Sequence, residues 1–252
     1  NLSGESIMSG RWNEERKRAL LTSRTEPTIA IVGALKRAQK RPGVLVNASA
    51  VGYYGDRGDR PVTESDPPGS DFLARLVVEW EHVAEKADEL GVRVCLMRTG
   101  IVLGPGGGAL SQLALPFRLF LGGHIGSGKQ WISWIHIDDV VGLFRVAIER
   151  QDASGPINVT SPAPATNREL AQTLGSVMGR PSWLPVPSFA LRIALGELAD
   201  EILGGQRALP AAAILQHPDL AQHDPGRRPG AATHAARVVA QPRRGAAGAG
   251  SG

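Results

Sequence analysis

Two short apolar runs, Val44-Leu-Val-Asn-Ala48 and Val92-Arg-Val-Cys-Leu-Met97, are separated by one amphipathic stretch and one glycine stop, and this spacing constrains the fold most. Between them Leu73, Leu76, Val77, Trp80, Val83, Ala84 and Ala87 recur at helical intervals, Ser70 or Asp71 can cap the start, and Gly91 ends it. Strand, helix and strand with so short a return make a parallel unit, because a hairpin would need no intervening helix.

The remainder continues the alternation. Residues 13–40 are rich in helix formers, with Ile29, Val32 and Leu35 as an apolar face and Pro27 expected to break or kink the helix. Residues 109–121 read as a helix and Trp131–Ile135 as a strand. Asp138 is expected to cap a helix carrying Val141, Phe144, Val146 and Ile148, and Ile157–Thr160 reads as a strand. Thr166-Asn-Arg-Glu169 is a capping box, the helix it opens stops at Gly179 and Pro181, and a last helix spans roughly 188–204. Such alternation implies an open α/β sheet, in which ligands gather at the carboxyl ends of strands. Asn1–Gly4, Asn47–Tyr54 and Arg98–Gly104 are the places that rule selects.

The 252 residues, 42% of them hydrophobic, suffice for one large domain or a domain and a smaller one. Six Arg and two Asp fall in residues 207–252, so the whole net charge of +4 lies there and residues 1–206 balance. The body therefore carries no charge signature of nucleic-acid binding. The single cysteine, Cys95, excludes an internal disulfide and a cysteine-based zinc site. No apolar run reaches membrane-spanning length, so neither nucleic acid nor membrane is an expected partner, and a cytoplasmic location is expected. Residues 211–252, rich in Ala, Arg, Gly and Pro, are expected to be disordered. Asn1-Leu-Ser-Gly4 reads as a strand end and its loop, so the sequence is expected to be a piece cut inside a domain.

Several stretches, in order, resemble the extended short-chain dehydrogenase/reductase superfamily: Asn1-Leu-Ser-Gly-Glu-Ser6, Ala48-Ser-Ala-Val-Gly-Tyr-Tyr-Gly55, Thr63-Glu64, Arg98-Thr-Gly-Ile-Val-Leu-Gly104 and Trp134-Ile-His-Ile-Asp-Asp139. Gly69-Ser-Asp-Phe-Leu-Ala74 with Trp80-Glu81, and Leu115-Pro-Phe-Arg118 with Leu121-Gly-Gly123, resemble its epimerase-like branch. Leu184-Pro-Val-Pro187 to Gln206-Arg207 is similar to that branch's small C-terminal domain of unknown function. The resemblance covers residues 1 to about 210. It implies an α/β, Rossmann-type doubly wound parallel sheet over residues 1–160, truncated at its start, with substrate-cleft insertions about 104–135. A small, mostly helical substrate domain would follow over 161–210. The superfamily's opening, a strand, a Gly-x-x-Gly-x-x-Gly turn and a helix that cradle the dinucleotide pyrophosphate, is expected to be missing ahead of Asn1, a deficit on the order of 60 residues at ~30 per βα unit.

The resemblance also implies NADP, or NAD, as cofactor and a small molecule as substrate. Leu2, Ser3 and Gly4 would pass the cofactor's ribose and nicotinamide side, with Arg24 near it; Ala48, Arg98, Thr99, Gly100 and Val102 would flank the nicotinamide. Each has a plainer alternative, a strand-end loop for residues 1–4 and a solvated helix arginine for Arg24. Ser49 would hold a substrate carbonyl or hydroxyl, since a hydroxyl both donates and accepts, or else caps a strand end. The superfamily's usual Tyr-x-x-x-Lys pair falls on Phe72 and Leu76, neither of which donates a proton. Tyr53 could substitute as proton donor, or its ring packs over the site.

Gly123-His-Ile-Gly-Ser-Gly-Lys-Gln130 nearly spells a P-loop but lacks the hydroxyl after the lysine, and a strand-like run follows it. Lys129 and Arg118 would instead meet an anionic substrate, as nucleotide-sugar relatives bind diphosphate nearby. His136, Asp138 and Asp139 read as a strand entering a helix, and no metal is expected. The expected function is that of an NAD(P)-dependent oxidoreductase or epimerase acting on a carbonyl or secondary alcohol, a nucleotide sugar among the candidates. The alternative is an NADP-binding protein without turnover.

Overall fold

The computed structural model describes residues 1–105 and 108–212. The disorder expected for residues 211–252 does not hold at Ala211 and Ala212, which are helical and bonded to Leu209 O and Glu64; from 213 onward the expectation lies outside the described residues. Helix α1 (Glu14–Arg37) is followed by β1 (Val44–Ala50), a 3-10 turn (Val51–Tyr54), β2 (Pro61–Val62) and α2 (Phe72–Glu85). Next come β3 (Arg93–Thr99), β4 (Ile101–Leu103), α3 (Gly108–Arg118), β5 (Trp131–Ile132), β6 (Trp134–His136) and α4 (Ile137–Glu149). The chain closes with β7 (Gly155–Val159), β8 (Ala165–Thr166), α5 (Asn167–Met178), α6 (Ser188–Leu195), α7 (Leu198–Leu203) and β9 (Arg207–Ala208).

The central sheet is parallel in the order β1-β3-β7, with Val44 opposite Arg93 and Ala50 opposite Thr99, and with Cys95 opposite Gly155. Successive side chains of a strand point to opposite faces. Leu45, Val94 and Leu96 accordingly pack beneath α1 and α2, with Leu35, Ala84 and Ala87. Cys95 and Met97 pack on the other face with Ile157, Val159 and Leu143 and Ala147 of α4. The α/β architecture with helices on both faces of a parallel sheet is the one expected.

Local departures have local causes. Helix α1 runs through Pro27 without a break. Its threonines bond back to carbonyls one turn earlier, Thr28 Oγ1 to Arg24 O at 2.6 Å and Thr25 Oγ1 to Leu21 O at 3.1 Å, and Trp80 Nε1 donates to Thr28 Oγ1 at 3.1 Å, so packing on α2 carries the helix past the proline. Ile29, expected to be on the apolar face, is exposed; Leu20, Thr25, Thr28 and Leu35 are the buried ones. Asp138 does not cap α4. His136 does, its Nδ1 accepting from the Asp138 N–H at 3.2 Å, and Asp138 and Asp139 fall in the first helical turn. The expected strand 131–135 divides at Ser133, and the expected last helix divides at Gly196, whose φ of +61° no helix accommodates. The box at Thr166 and Glu169 and the caps at Asp71 and Gly179 form as expected.

Residues 205–212 are stitched into the body. β9 pairs with β2, Ser133 Oγ donates to Gln206 O at 2.6 Å, Thr160 Oγ1 to Ala208 O at 3.2 Å, and Asn158 Nδ2 to Leu209 O at 2.9 Å.

Candidate active site

The carboxyl ends of β1 and β3 lie side by side, Ser49 opposite Arg98 and Ala50 opposite Thr99. Strand parity decides which way each residue faces. Ser49 shares the α2 face with Leu45 and Asn47, and Arg98 shares it with Val94 and Leu96. Both meet Glu81 of α2. Arg98 Nε donates to Glu81 Oε1 at 2.9 Å and Nη2 to Oε2 at 2.8 Å, a fork on both carboxylate oxygens, and Ser49 Oγ donates to Oε1 at 2.5 Å. Arg98 and Glu81 side chains are 4% and 6% exposed. Burial opposes the Arg98 charge, but Glu81 more than compensates and raises its pKa above the ordinary arginine range.

The network extends to two adjacent tyrosines with different fates. Tyr54 is fully buried; its hydroxyl accepts from Arg98 Nη1 at 3.1 Å and donates to Asn158 Oδ1 at 2.7 Å. Burial pushes its pKa up to about 12, with Arg98 pulling the other way, so its proton stays in place. Tyr53 is half-buried and lies edge-on to Tyr54, with the Arg98 guanidinium 3.4 Å from its ring centre. Glu64 Oε1 accepts from the N–H groups of Asn158 at 2.9 Å and Ala212 at 3.2 Å.

A second polar group lies at the other edge of β1. Asn1 bonds the β1 backbone, its amino group donating to Val46 O at 2.8 Å and its carbonyl accepting from the Ala48 N–H at 2.9 Å. Its side chain donates to Asn47 Oδ1 at 2.7 Å and Thr28 Oγ1 at 2.9 Å. Asn1–Gly4 thus leaves the sheet directly beside the Ala48 end of β1. Gly4 has φ +153°, and a Cβ there would come within 3.1 Å of Arg24. Arg24 is fixed by Leu20 O at 2.8 Å and Glu5 O at 2.9 Å, and burial lowers its pKa.

The sequence-selected residues therefore fall into three places. Leu2, Ser3, Gly4 and Arg24 lie together at the outer edge of β1. Ala48, Ser49, Tyr53, Arg98, Thr99 and Gly100 lie at the joined strand tips, with Val102 beyond them in β4, opposite Ile135 of β6. Gly100 sits there with its N–H on Val159 O at 3.1 Å and so close to Ser133 that a Cβ would fall 2.1 Å from that residue's carbonyl oxygen. Arg118 and Lys129, both exposed, stand apart on the end of α3 and the loop before β5. Phe72 packs on Trp12 and Leu76 is buried among apolar neighbours. Glu81, Asn158 and Glu64 were not selected from the sequence; the parity of Ser49 and Arg98, facing α2 together, was the signal for Glu81. Cys95 is buried, and burial raises its thiol pKa, which keeps it unreactive. A strand, β5, follows Lys129 where a P-loop needs a helix.

Comparison with known proteins places this geometry. Residues 2–160 match the NAD dependent epimerase/dehydratase family and residues 186–215 a domain of unknown function. The chloroplastic epimerase family protein SDR39U1 homolog of Arabidopsis thaliana is 47% identical over 84% of this chain, which spans about 61% of that relative's length. Epimerase family protein Mb2239 of Mycobacterium bovis is 46% identical, with 84% of this chain and 70% of the relative covered. The crystal structure of human epimerase family protein SDR39U1 (isoform 2) with NADPH superposes with a TM-score of 0.79 at 37% identity, covering 84% of this chain and 73% of that one. UDP-glucuronic acid 4-epimerase from Bacillus cereus, with UDP-glucuronic acid and NAD, shares the fold at a TM-score of 0.68 and 16% identity, over 84% of this chain and 66% of that one. The joined strand tips, the helices on both faces of the parallel sheet and these matches agree: the chain belongs to the NAD dependent epimerase/dehydratase family.

Proposed function

We propose that this chain supplies the nicotinamide-facing part of an NADP(H) site, with NAD the alternative, and acts on a carbonyl or secondary alcohol, a nucleotide sugar among the candidates. The observation that carries the reading is the register of β1 on β3, which puts Ser49 beside Arg98 and Ala50 beside Thr99; the nicotinamide would lie over these tips next to Tyr53, in a crevice whose floor they would form. The residues fit that end of the cofactor. Ala48, Ala50 and Gly52 are small and half-exposed there, so a flat ring would approach the backbone, while the side-chain space at Gly100 is taken by Ser133. Leu2, Ser3, Gly4 and Arg24 would flank the ribose, and Arg98, Thr99, Gly100 and Val102 the nicotinamide. Among the described residues no strand passes through a Gly-x-x-Gly-x-x-Gly turn into a helix: Gly52, Gly55 and Gly58 have that spacing but lead to β2, and residues 104–108, which join β4 to α3, do not have it, so the pyrophosphate is not assigned to either. In this division residues 1–160 would hold the cofactor, 161–210 would close over substrate, and Arg118 and Lys129 would take its anionic groups.

The bound nicotinamide supplies hydride exchange. The chain's own task is to hold substrate and place a proton. Tyr53 Oη is the candidate donor: no hydrogen bond occupies it among the described residues, and the Arg98 guanidinium stacked on its ring holds the side chain in place. Ser49 gives its own proton to Glu81, so toward a ligand its oxygen can only accept.

Calorimetry with NADPH and a carbonyl panel test this. Tyr53→Phe is expected to lower turnover about a hundredfold or more with NADPH affinity unchanged. NADPH affinity should be far below that of a version carrying a glycine-rich opening; equal affinities would contradict the partial-site reading. The burial of Ser49, 5% exposed, favours a second reading, cofactor binding without turnover. Binding with no turnover across the panel would support it.

A further inference from the structure

The region from the end of α3 to β5 and the segment between α5 and α6 form one surface. The N–H groups of Trp183 and Leu184 both donate to Gly122 O, at 3.0 and 3.1 Å, and the Arg180 guanidinium lies 4.3 Å from the Phe120 ring centre. Its apolar side chains face water. Leu119 is 62% exposed, Phe120 52%, Leu121 51% and Trp183 67%. Side chains this exposed stand out from a surface; walls of a ligand groove are far more covered.

Phe120 adds a second observation. Its φ is +61°, unique among the described non-glycine residues, and a bulky side chain pays about 1–2 kcal/mol for that conformation. The Phe120 N–H donates to Phe117 O at 3.0 Å and the Leu121 N–H to Pro116 O at 2.9 Å, a tight turn that projects three consecutive apolar side chains.

Charge identifies the partner. The sequence contains no Asp or Glu between Glu89 and Asp138, nor between Glu169 and Glu197, the two stretches that build the surface. Arg118 and Arg180 are exposed within it, and neither forms an ion pair among the described residues. A two-fold contact with a second copy would set these arginines against each other with no carboxylate from either stretch to separate them. Tryptophan, phenylalanine and leucine ringed by arginine match instead the boundary between acyl chains and anionic headgroups.

We propose that the surface of Leu119, Phe120, Leu121 and Trp183, rimmed by Arg118 and Arg180, docks onto the headgroup layer of an anionic phospholipid bilayer. The contact is peripheral: no helix among the described residues is long and apolar enough to cross a membrane. Anchoring here would engage Arg118 and leave Lys129 alone for the substrate's anionic groups in the proposed function.

Co-sedimentation of the whole chain with vesicles of phosphatidylcholine alone, and of phosphatidylcholine mixed equally with phosphatidylglycerol, tests it. Binding to the mixed vesicles is expected to be about tenfold stronger or more, from two arginines worth about 1 kcal/mol each near such a surface. Added salt should weaken binding to the mixed vesicles toward that of phosphatidylcholine alone; the five arginines of residues 213–252 add to this term in every variant, and the surface contributes its own share. The pair Arg118→Glu and Arg180→Glu should abolish it, and Trp183→Ser should weaken binding and remove a blue shift in tryptophan emission. Equal binding to both vesicle types, or a charge-reversed chain binding like the parent, overturns the proposal. So does an absence of vesicle binding together with dimerisation that Trp183→Ser abolishes, which would assign the surface to a second copy.

Discussion

The crevice floor and the outer lobe treat their side chains in opposite ways. At the floor, polar groups of Ser49, Tyr54, Glu81, Arg98 and Asn158 are buried, each bonded to at least one of the others. At the lobe, Leu119, Phe120 and Trp183 are left to water, one with its backbone in the left-handed region. Burial makes each floor residue depend on its partners, because a lone charge in a low dielectric is costly. The lobe side chains have few intramolecular obligations. Stability should therefore concentrate at the floor, and the lobe should tolerate change.

The largest effect tests the floor. Arg98→Leu strands the Glu81 carboxylate and should cost about 3–5 kcal/mol in urea unfolding. The double variant Arg98→Leu with Glu81→Leu should be less damaged than Arg98→Leu alone, because no buried charge then remains. Equal damage would mean that packing, not charge, holds this region. Tyr54→Phe comes next: it removes the acceptor of Arg98 and the donor to Asn158, and about 1–3 kcal/mol should be lost. Tyr53→Phe should cost much less, although the two side chains are adjacent.

A smaller effect lies outside both regions. Glu201, on α7, accepts from the Leu73 N–H near Asp71 at the start of α2, and its pKa is raised to about 7, first by burial and then by Asp71. The folded chain thus holds this proton more tightly than the unfolded one. Its contribution to stability is complete below the ordinary value near 4.5 and is lost as pH rises to about 7. Glu201→Gln should gain stability relative to the parent between pH 4.5 and 8 in thermal melts; parallel curves would refute the shift. The smallest effect belongs to the lobe. Phe120→Gly trades relief of backbone strain against the flexibility of glycine and should leave stability within about 0.5 kcal/mol.

The same contrast explains what could be read in the sequence. Features fixed within one helical turn were legible: Thr166 and Glu169 close their box across three residues, Asp71 reaches Ala74, and Gly179 takes the left-handed conformation that ends α5. The apolar runs of β1 and β3 were legible because β3 is buried on both faces and β1 on one, with its other face partly covered. Features that depend on distant partners were not. Pro27 is carried by packing on Trp80, 53 positions away in the chain by residue number, and β9 exists only because β2 lies beside it. At the crevice, the residue types of Ser49 and Arg98 were visible, but their common partner was not. Glu81 stands on a helix whose apolar periodicity disguises one charged position turned inward.

The stitching of residues 205–212 has a consequence for motion. Asn158 receives the Tyr54 hydroxyl on its carbonyl oxygen and gives its amide to Leu209 O, while Glu64 grips both the Asn158 and Ala212 backbones. Peeling residues 205–212 away would therefore unfasten β7 and the buried phenol in one event, and the amides of both segments should exchange with solvent as a single cooperative unit.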